Sequence, residues 1–398
     1  MKKTVSLILI LLISFSLSLP TFAENATKHK AECKTNFYSD ANIEIEHEVG
    51  GLYLCEATTG KVLYASNEFG AASPASVTKV MTLLLVCEAL NEGRFKLTDT
   101  VRVSAKAASM GGSQVFLEEG EKITVEDLIK STVIASGNDS SVALAELTAG
   151  SEAAFVKLMN KRAAELGLKN TNFENTTGLD DTTVNHYSCA ADIATMSREL
   201  IKHKIILQYS SIWQDTIRDG EFTLTNTNRL VRYYDGCNGL KTGSTDKAGY
   251  CISATAKRGN MQLIAVVMGA KSRDERNQIA RELLDYGFAT YSLYERQEAA
   301  LESVSVRGGV KDTATLYTTP FSSVIEKGKA GQIELEYDIP EYIYAPVKCG
   351  DVVGKVIYKL GDEQIGYSDI IVRDEITRIK YTDLFFRIIK RIITGAIN

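Results

Sequence analysis

The chain has 398 residues, 44% hydrophobic and 24% charged, the balance of a soluble globular protein with enough length for two cores. Low-complexity tracts and fixed-period repeats are absent, which excludes solenoids and disordered arrays. The formal net charge is -5 and becomes two units more negative without Lys2 and Lys3, so nucleic acid is not an expected partner.

Lys2 and Lys3 precede an apolar run from Val5 to about Leu19, followed by the small-residue cleavage signal Pro20-Thr21-Phe22-Ala23. Residues 1–23 therefore read as a signal peptide, the apolar run being short for a spanning helix, and the protein is expected to be exported. Residues 24–49 are polar and read as a linker. The seven cysteines are scattered without a CxxC pair, and their odd number leaves at least one thiol unpaired in a monomer. Cys55, Cys87 and Cys251 stand in apolar runs and read as small core residues. Four histidines and no HExxH argue against a metal site, and no cofactor is expected.

Residues 51–55 and 61–65, joined at Thr58-Thr59-Gly60, carry a β-hairpin signal, and 250–256 with 262–268 carry a second one around Arg258-Gly259-Asn260. Helical spacing marks residues 76–90, 125–134, 151–166, 190–201 and 274–286. Strands at both ends of a region with helices between them predict one sheet closed by distant segments and largely antiparallel. The fold class is α+β, with a first domain over 50–295. Short alternating segments separated by Gly, Pro or Asp predict a small all-β domain over 296–378. Residues 379–398 end the chain in an amphipathic helix. Phe385, Ile388, Ile389 and Ile392 share one face and Arg387, Lys390 and Arg391 the other, which predicts a membrane-surface anchor.

The sharpest chemical signal is Ser73-Pro74-Ala75-Ser76-Val77-Thr78-Lys79. Ser73 can cap a helix and Pro74 suits its first position, which puts Ser76 in the first turn and Lys79 on the same face. A serine hydroxyl needs a base to become a nucleophile, and a lysine whose pKa is lowered by burial or a nearby cation can serve. The spacing alone is weak. Ser136-Gly137-Asn138 after one helix and Lys241-Thr242-Gly243 before the second hairpin turn it into a constellation. Ser136 can relay a proton to a leaving amine, Asn138 can hold a substrate amide, and Lys241 with Thr242 can receive a carboxylate. Gly243 leaves room for a substrate backbone beside the strand.

S-x-x-K, S-x-N and K-T-G in this order resemble the penicillin-binding proteins and serine β-lactamases. The chain is most similar to the low-molecular-mass D-alanyl-D-alanine carboxypeptidases. That likeness is carried by Thr59 to Tyr64, Pro74 to Met81, Phe173-Glu174-Asn175, Gly178-Leu179 and His186-Tyr187-Ser188, and in the β segment by Ala345 to Lys348 and Gly350-Asp351. The resemblance implies a β-lactamase/transpeptidase-like domain and hydrolysis of stem peptides ending in D-Ala-D-Ala. Ser76 is then the acylated nucleophile, Lys79 its base, and Ser136, Asn138, Lys241, Thr242 and Gly243 complete the site. Ser76 and Ser244 supply oxyanion-hole N–H groups. β-Lactam antibiotics are implied as acylating ligands.

Ser244 departs from the aromatic or histidine residue usual after K-T-G. An arginine upstream of K-T-G can help bind the substrate carboxylate, and spacing does not choose between Arg229 and Arg232. Cys237 lies four residues before Lys241, where a buried structural thiol is the simpler reading. His186 precedes a helix and reads as structural. A β-lactamase would need a deacylating glutamate, for which Glu165 is the nearest candidate although it reads as a surface acid. A penicillin sensor or wall scaffold is the reading from another class. A scaffold would need neither Lys79 nor Asn138, and a sensor usually needs a spanning segment linked to a signalling domain, which is not visible.

Overall fold

The computed structural model describes residues 48–393. The signal-peptide reading and the linker reading up to residue 47 lie outside the described residues.

The sheet is assembled from both ends of its domain. Strands β1 (Gly51–Glu56) and β2 (Val62–Ser66) form the first hairpin, whose turn is held by the Glu56 carboxylate accepting from Thr58 N and Thr59 N at 2.9 and 2.7 Å. Between them and the later strands lie helices α1 (Lys79–Asn91), α2 (Val125–Val133), α3 (Asn138–Ala149), α4 (Glu152–Glu165) and α5 (Ala190–Leu200). Three strands then follow, β3 (Cys237–Thr245), β4 (Gly249–Arg258) and β5 (Met261–Ala270), before the long helix α6 (Arg273–Thr290). The spatial order is β2-β1-β5-β4-β3, antiparallel throughout.

The apolar pattern explains the layering. In β5 successive side chains face opposite sides of the sheet. Leu263, Ala265 and Val267 pack with Ile279, Leu283 and Leu284 of α6, whereas Ile264, Val266 and Met268 join the core of the helical cluster. α1 is apolar on every side, as a helix at the centre of a core must be, and Val80, Met81, Leu83, Leu84, Val86 and Cys87 are all buried.

Two local features differ from the sequence reading. The helix read over 76–90 opens instead as a 3-10 turn, Ala75–Thr78, and becomes α-helical only at Lys79. Ser73 does not cap it, because Ala75 takes φ +46 and diverts the backbone, and the Ser73 hydroxyl reaches Asp180 at 3.4 Å. Lys241-Thr242-Gly243 precedes the second hairpin as expected, but on a strand of its own, β3, which the sequence pattern does not mark. This strand is the sheet edge and interrupts its apolar residues with Asn238, Gly239 and Lys241, which hides it from an alternation test.

The chain leaves α6 through the strand Tyr291–Arg296, which pairs with Phe321–Glu326, and enters an all-β region. Its main sheet runs Ala299–Ala300, Leu316–Thr318, Glu363–Val372, Val352–Leu360 and Ile333–Asp338 in spatial order. The core there is built around Tyr358, fully buried and stacked on Phe321 at 3.8 Å between ring centroids. Helix α7 (Tyr381–Ile393) follows, touching this region through Arg387, which donates to Asp312 and to the carbonyls of Gly309 and Val310.

Gly178 fixes where the 3-10 turn sits. It has φ +84, and a Cβ there would lie 1.8 Å from the Ala75 carbonyl oxygen. Gly178→Ala is expected to combine left-handed strain with a backbone clash and lower stability by about 3 kcal/mol, read as a fall in the denaturant midpoint. An unchanged midpoint would refute this fit.

Candidate active site

Ser76 stands on the 3-10 turn closed by Val77 N donating to Pro74 O at 3.1 Å. The turn is pressed against β3. A Cβ at Gly243 would come within 2.7 Å of Ser76 N and 2.9 Å of Val77 N, so only glycine allows the strand so close. One helical turn after Ser76, Lys79 points back into the same corner. Its Nζ is 2.9 Å from Ser76 Oγ, 2.6 Å from Asn138 Oδ1 and 2.9 Å from the Thr177 carbonyl. Three of the residues singled out by sequence spacing therefore meet at one amine.

Ser136 and Asn138 flank the start of α3. Asn138 Nδ2 donates to Gly111 O at 2.7 Å, which fixes the amide with its oxygen toward Lys79. Next to it, buried Asp139 accepts from Val115 N and Leu117 N and so ties the 113–117 loop to α3. Ser136 has φ +65, and its hydroxyl is buried without a hydrogen-bond partner among the described residues. It lines the same cavity as Ser76, where such a hydroxyl is able to take a ligand. The segment behind Lys79 is braced by Glu152, which accepts from Thr176 N and Thr176 Oγ1 and pairs with Lys106.

The lysines set the electrostatics. Lys79 is fully buried, and burial followed by the nearby Lys241 charge holds its pKa well below the ordinary lysine value, with Asp139 opposing. A larger fraction is then the neutral amine that can take a proton from Ser76. Lys241 is lowered to about 7 by burial and then by Arg276, and its Nζ donates to Thr242 O at 2.7 Å.

A cavity of about 570 Å³ opens on this corner, lined among others by Ser76, Ser136, Thr242, Gly243, Ser244 and three arginines, Arg229, Arg273 and Arg276. Thr242 Oγ1 is held by Thr227 Oγ1 at 2.8 Å. Arg229 thus lines the cleft, whereas Arg232 lies over the rings of Trp213 and Tyr233. Arg273 and Arg276 escaped the sequence reading. Their spacing of three on a helix that follows a strand was the available signal, and it resembled that of any solvated helix face. Arg276 is buried, donates to Asn277 Oδ1 and Cys251 O among the described residues, and has its pKa lowered to about 10 by burial.

Residues 38–272 match the family of D-alanyl-D-alanine carboxypeptidases, and residues 288–378 match the C-terminal domain of penicillin-binding protein 5. The D-alanyl-D-alanine carboxypeptidase DacF of Bacillus subtilis is 42% identical over 386 residues, spanning 95% of each chain. The chain belongs to the D-alanyl-D-alanine carboxypeptidase family. Penicillin binding protein 5 from Haemophilus influenzae superposes with a TM-score of 0.75 at 32% identity, over 85% of this chain and 100% of that one. Penicillin-binding protein D2 from Listeria monocytogenes in its ampicillin-bound form superposes with a TM-score of 0.56 at 29% identity, over 60% and 97% of the two chains. The fold is thus that of the penicillin-binding transpeptidase-like domain followed by an all-β domain.

Within this family frame the remaining candidates take structural places. Glu165 pairs with Lys161 and Arg162 on the surface of α4 and does not line the cleft. Cys237 sits at the start of β3 with its thiol 3.4 Å from Gly239 O, also away from the cleft lining. His186 is buried. Its Nδ1 accepts from Glu174 N at 3.1 Å, so its Nε2 carries the proton and donates to Thr78 Oγ1 at 2.8 Å. Both ring nitrogens are therefore used in holding the nucleophile turn to the 174–188 loop.

Burial lowers the His186 pKa from 6.5 to about 4. The unfolded chain binds this proton first as pH falls, so the stabilisation is complete above about 6.5 and is lost on descending to about 4. It amounts to about 3 kcal/mol. Urea midpoints should accordingly fall more steeply between these pH values in the parent than in His186→Gln. Parallel slopes would refute the linkage.

Proposed function

We propose that the protein is a serine-type D-Ala-D-Ala carboxypeptidase that removes the terminal D-alanine from peptidoglycan stem peptides through an acyl-enzyme on Ser76. The observation that carries the proposal is the buried Lys79 amine, 2.9 Å from Ser76 Oγ and held off its ordinary pKa. Ser76 attacks the carbonyl of the penultimate D-alanine as Lys79 takes its proton. The backbone N–H groups of Ser76 and Ser244 face the developing oxyanion. Ser136 delivers a proton to the departing D-alanine, and Asn138 holds the substrate amide. The terminal carboxylate is received by Thr242 and the positive charge of Lys241 and Arg276, the last a buried guanidinium with no carboxylate partner among the described residues. Water then hydrolyses the ester. A β-lactam acylates Ser76 in the same way, and its tethered fragment impedes that water.

The setting is the extracytoplasmic face of the cell membrane. The N-terminal pattern of residues 1–23 supports export, and α7 supports surface attachment. No helix among the described residues is long and apolar enough to cross a membrane. Yet α7 leaves Phe385, Phe386 and Ile392 more than 60% exposed, an apolar face of the kind that lies in a lipid interface, with Lys380 just before it for anionic headgroups. Arg387, counted on the polar face from sequence, is engaged by Asp312 instead.

Incubation with fluorescent penicillin and a D-Ala-D-Ala pentapeptide tests the chemistry. Covalent label and released D-alanine are expected in the parent and neither in Ser76→Ala, while Lys79→Ala acylates at least a hundredfold more slowly. Label without D-alanine release would instead indicate a sensor, and no label would overturn the site. For the tail, the chain should float with vesicles rich in anionic lipid and lose this on truncation after residue 378. Equal flotation of both would remove α7 as the anchor.

A further inference from the structure

The cleft carries more positive charge than the reaction above uses. No carboxylate lines the 570 Å³ cavity, whereas Arg229, Arg273 and Arg276 do. A second cavity of about 460 Å³ shares Arg229 and Tyr233 with it and continues along α6 past Asp274, Gln278 and Arg281. Asp274 is the one acid facing these four guanidiniums, and none of the four has a carboxylate within ion-pair distance among the described residues. Arg273 and Arg276 also stand in the first turn of α6, the end where the helix dipole already repels cations. That turn carries two acids, Asp274 and Glu275, and Glu275 accepts from Lys271 N at 2.6 Å. A single terminal carboxylate, received at Thr242 and Arg276, leaves the outer arginines uncompensated. Such an arrangement costs stability in the free protein and is repaid when anions enter.

The place of the surplus says which part of a substrate would meet it. Arg229 follows two residues after Thr227, whose hydroxyl holds Thr242 Oγ1, and Arg273 precedes Arg276 by three on one helix face. Both therefore adjoin the pocket for the leaving residue. Beyond them the second cavity offers room that the single methyl of D-alanine does not occupy. Trp213, on the lining of the first cavity, has its Nε1 buried and without a hydrogen-bond partner among the described residues, a further donor there.

We propose that Arg229 and Arg273 form a subsite for a second carboxylate on the leaving residue, so that the enzyme also cleaves stems whose terminal D-residue has a long acidic side chain. The proposal rests on the carboxypeptidase reading and extends it to the substrate class. The chemistry is unchanged: the ester forms on Ser76 as the acyl C–N bond breaks, the Ser76 proton passes by Lys79 and Ser136 to the leaving amine, and water then gives its hydroxyl to the acyl carbon and its other proton back to Ser76 Oγ.

The test uses the full chain and three acyl-D-Ala-D-X peptides with X as D-alanine, D-glutamate or D-lysine, following release of X. The parent is expected to cleave the D-glutamate peptide with kcat/KM at least equal to that for D-alanine and at least tenfold above D-lysine. Arg229→Ala/Arg273→Ala should lower the D-glutamate to D-alanine ratio about tenfold. Arg273→Glu should move the preference toward D-lysine, a gain that misfolding does not produce. A parent that releases D-alanine but not D-glutamate, or a ratio unmoved by the double variant, overturns the subsite. A parent that releases nothing while Ser76 is labelled by penicillin removes the carboxypeptidase reading itself.

Discussion

The structure depends on hiding the Lys79 amine completely. In water that group would be an ammonium with no capacity to accept a proton, and Ser76 would be an ordinary alcohol. Taking it out of water needs a core helix to carry it, two acceptors for its N–H groups beside the Ser76 hydroxyl at its lone pair, and a neighbouring cation to discourage its charge. α1 is the carrier, which is why that helix is apolar all round. These partners come from three other segments, so the site exists only when the turn bearing Ser76, α3 and the 175–178 loop have come together. Two glycines, Gly178 and Gly243, provide the clearance for that convergence.

How far this was legible varies by element. The hairpins at either end of the sheet, the buried α1 and the all-β region follow from periodicities that burial itself imposes. The corner that holds Ser76, Lys79 and Asn138 was legible as three short motifs, each weak alone, whose order and local contexts fit one another and resemble a known family. β3 was not, since an edge strand interrupted by glycine and lysine has no alternation to detect. The onset of α1 was also missed. Ser73 and Pro74 have the local chemistry of a helix start, and tertiary pressure on Ala75 overrides it. Arg273 and Arg276 show the general limit. On a linear chain they resemble any basic helix face, and only the fold turns that face toward a cleft.

His186 and Glu152 illustrate a second kind of information. Neither lines the cleft, yet each supports one wall of it. His186 secures the turn that bears Ser76, and Glu152 secures the loop whose Thr177 carbonyl accepts from Lys79. Buried groups of this sort bear on catalysis through position alone, and their loss is expected to blur geometry before it removes any reacting atom.

The position of β3 at the sheet margin has one more consequence. An open margin is a template on which another chain can zip by main-chain pairing, the usual beginning of aggregation. Here the 3-10 turn is packed over Gly243, and Thr227 is tied to Thr242. What stays open is a slot a few residues long. A short extended peptide can lie in it, whereas a neighbouring sheet cannot continue past either side. The same crowding that shapes the cleft beside Gly243 thus also limits how far main-chain pairing can run along this margin.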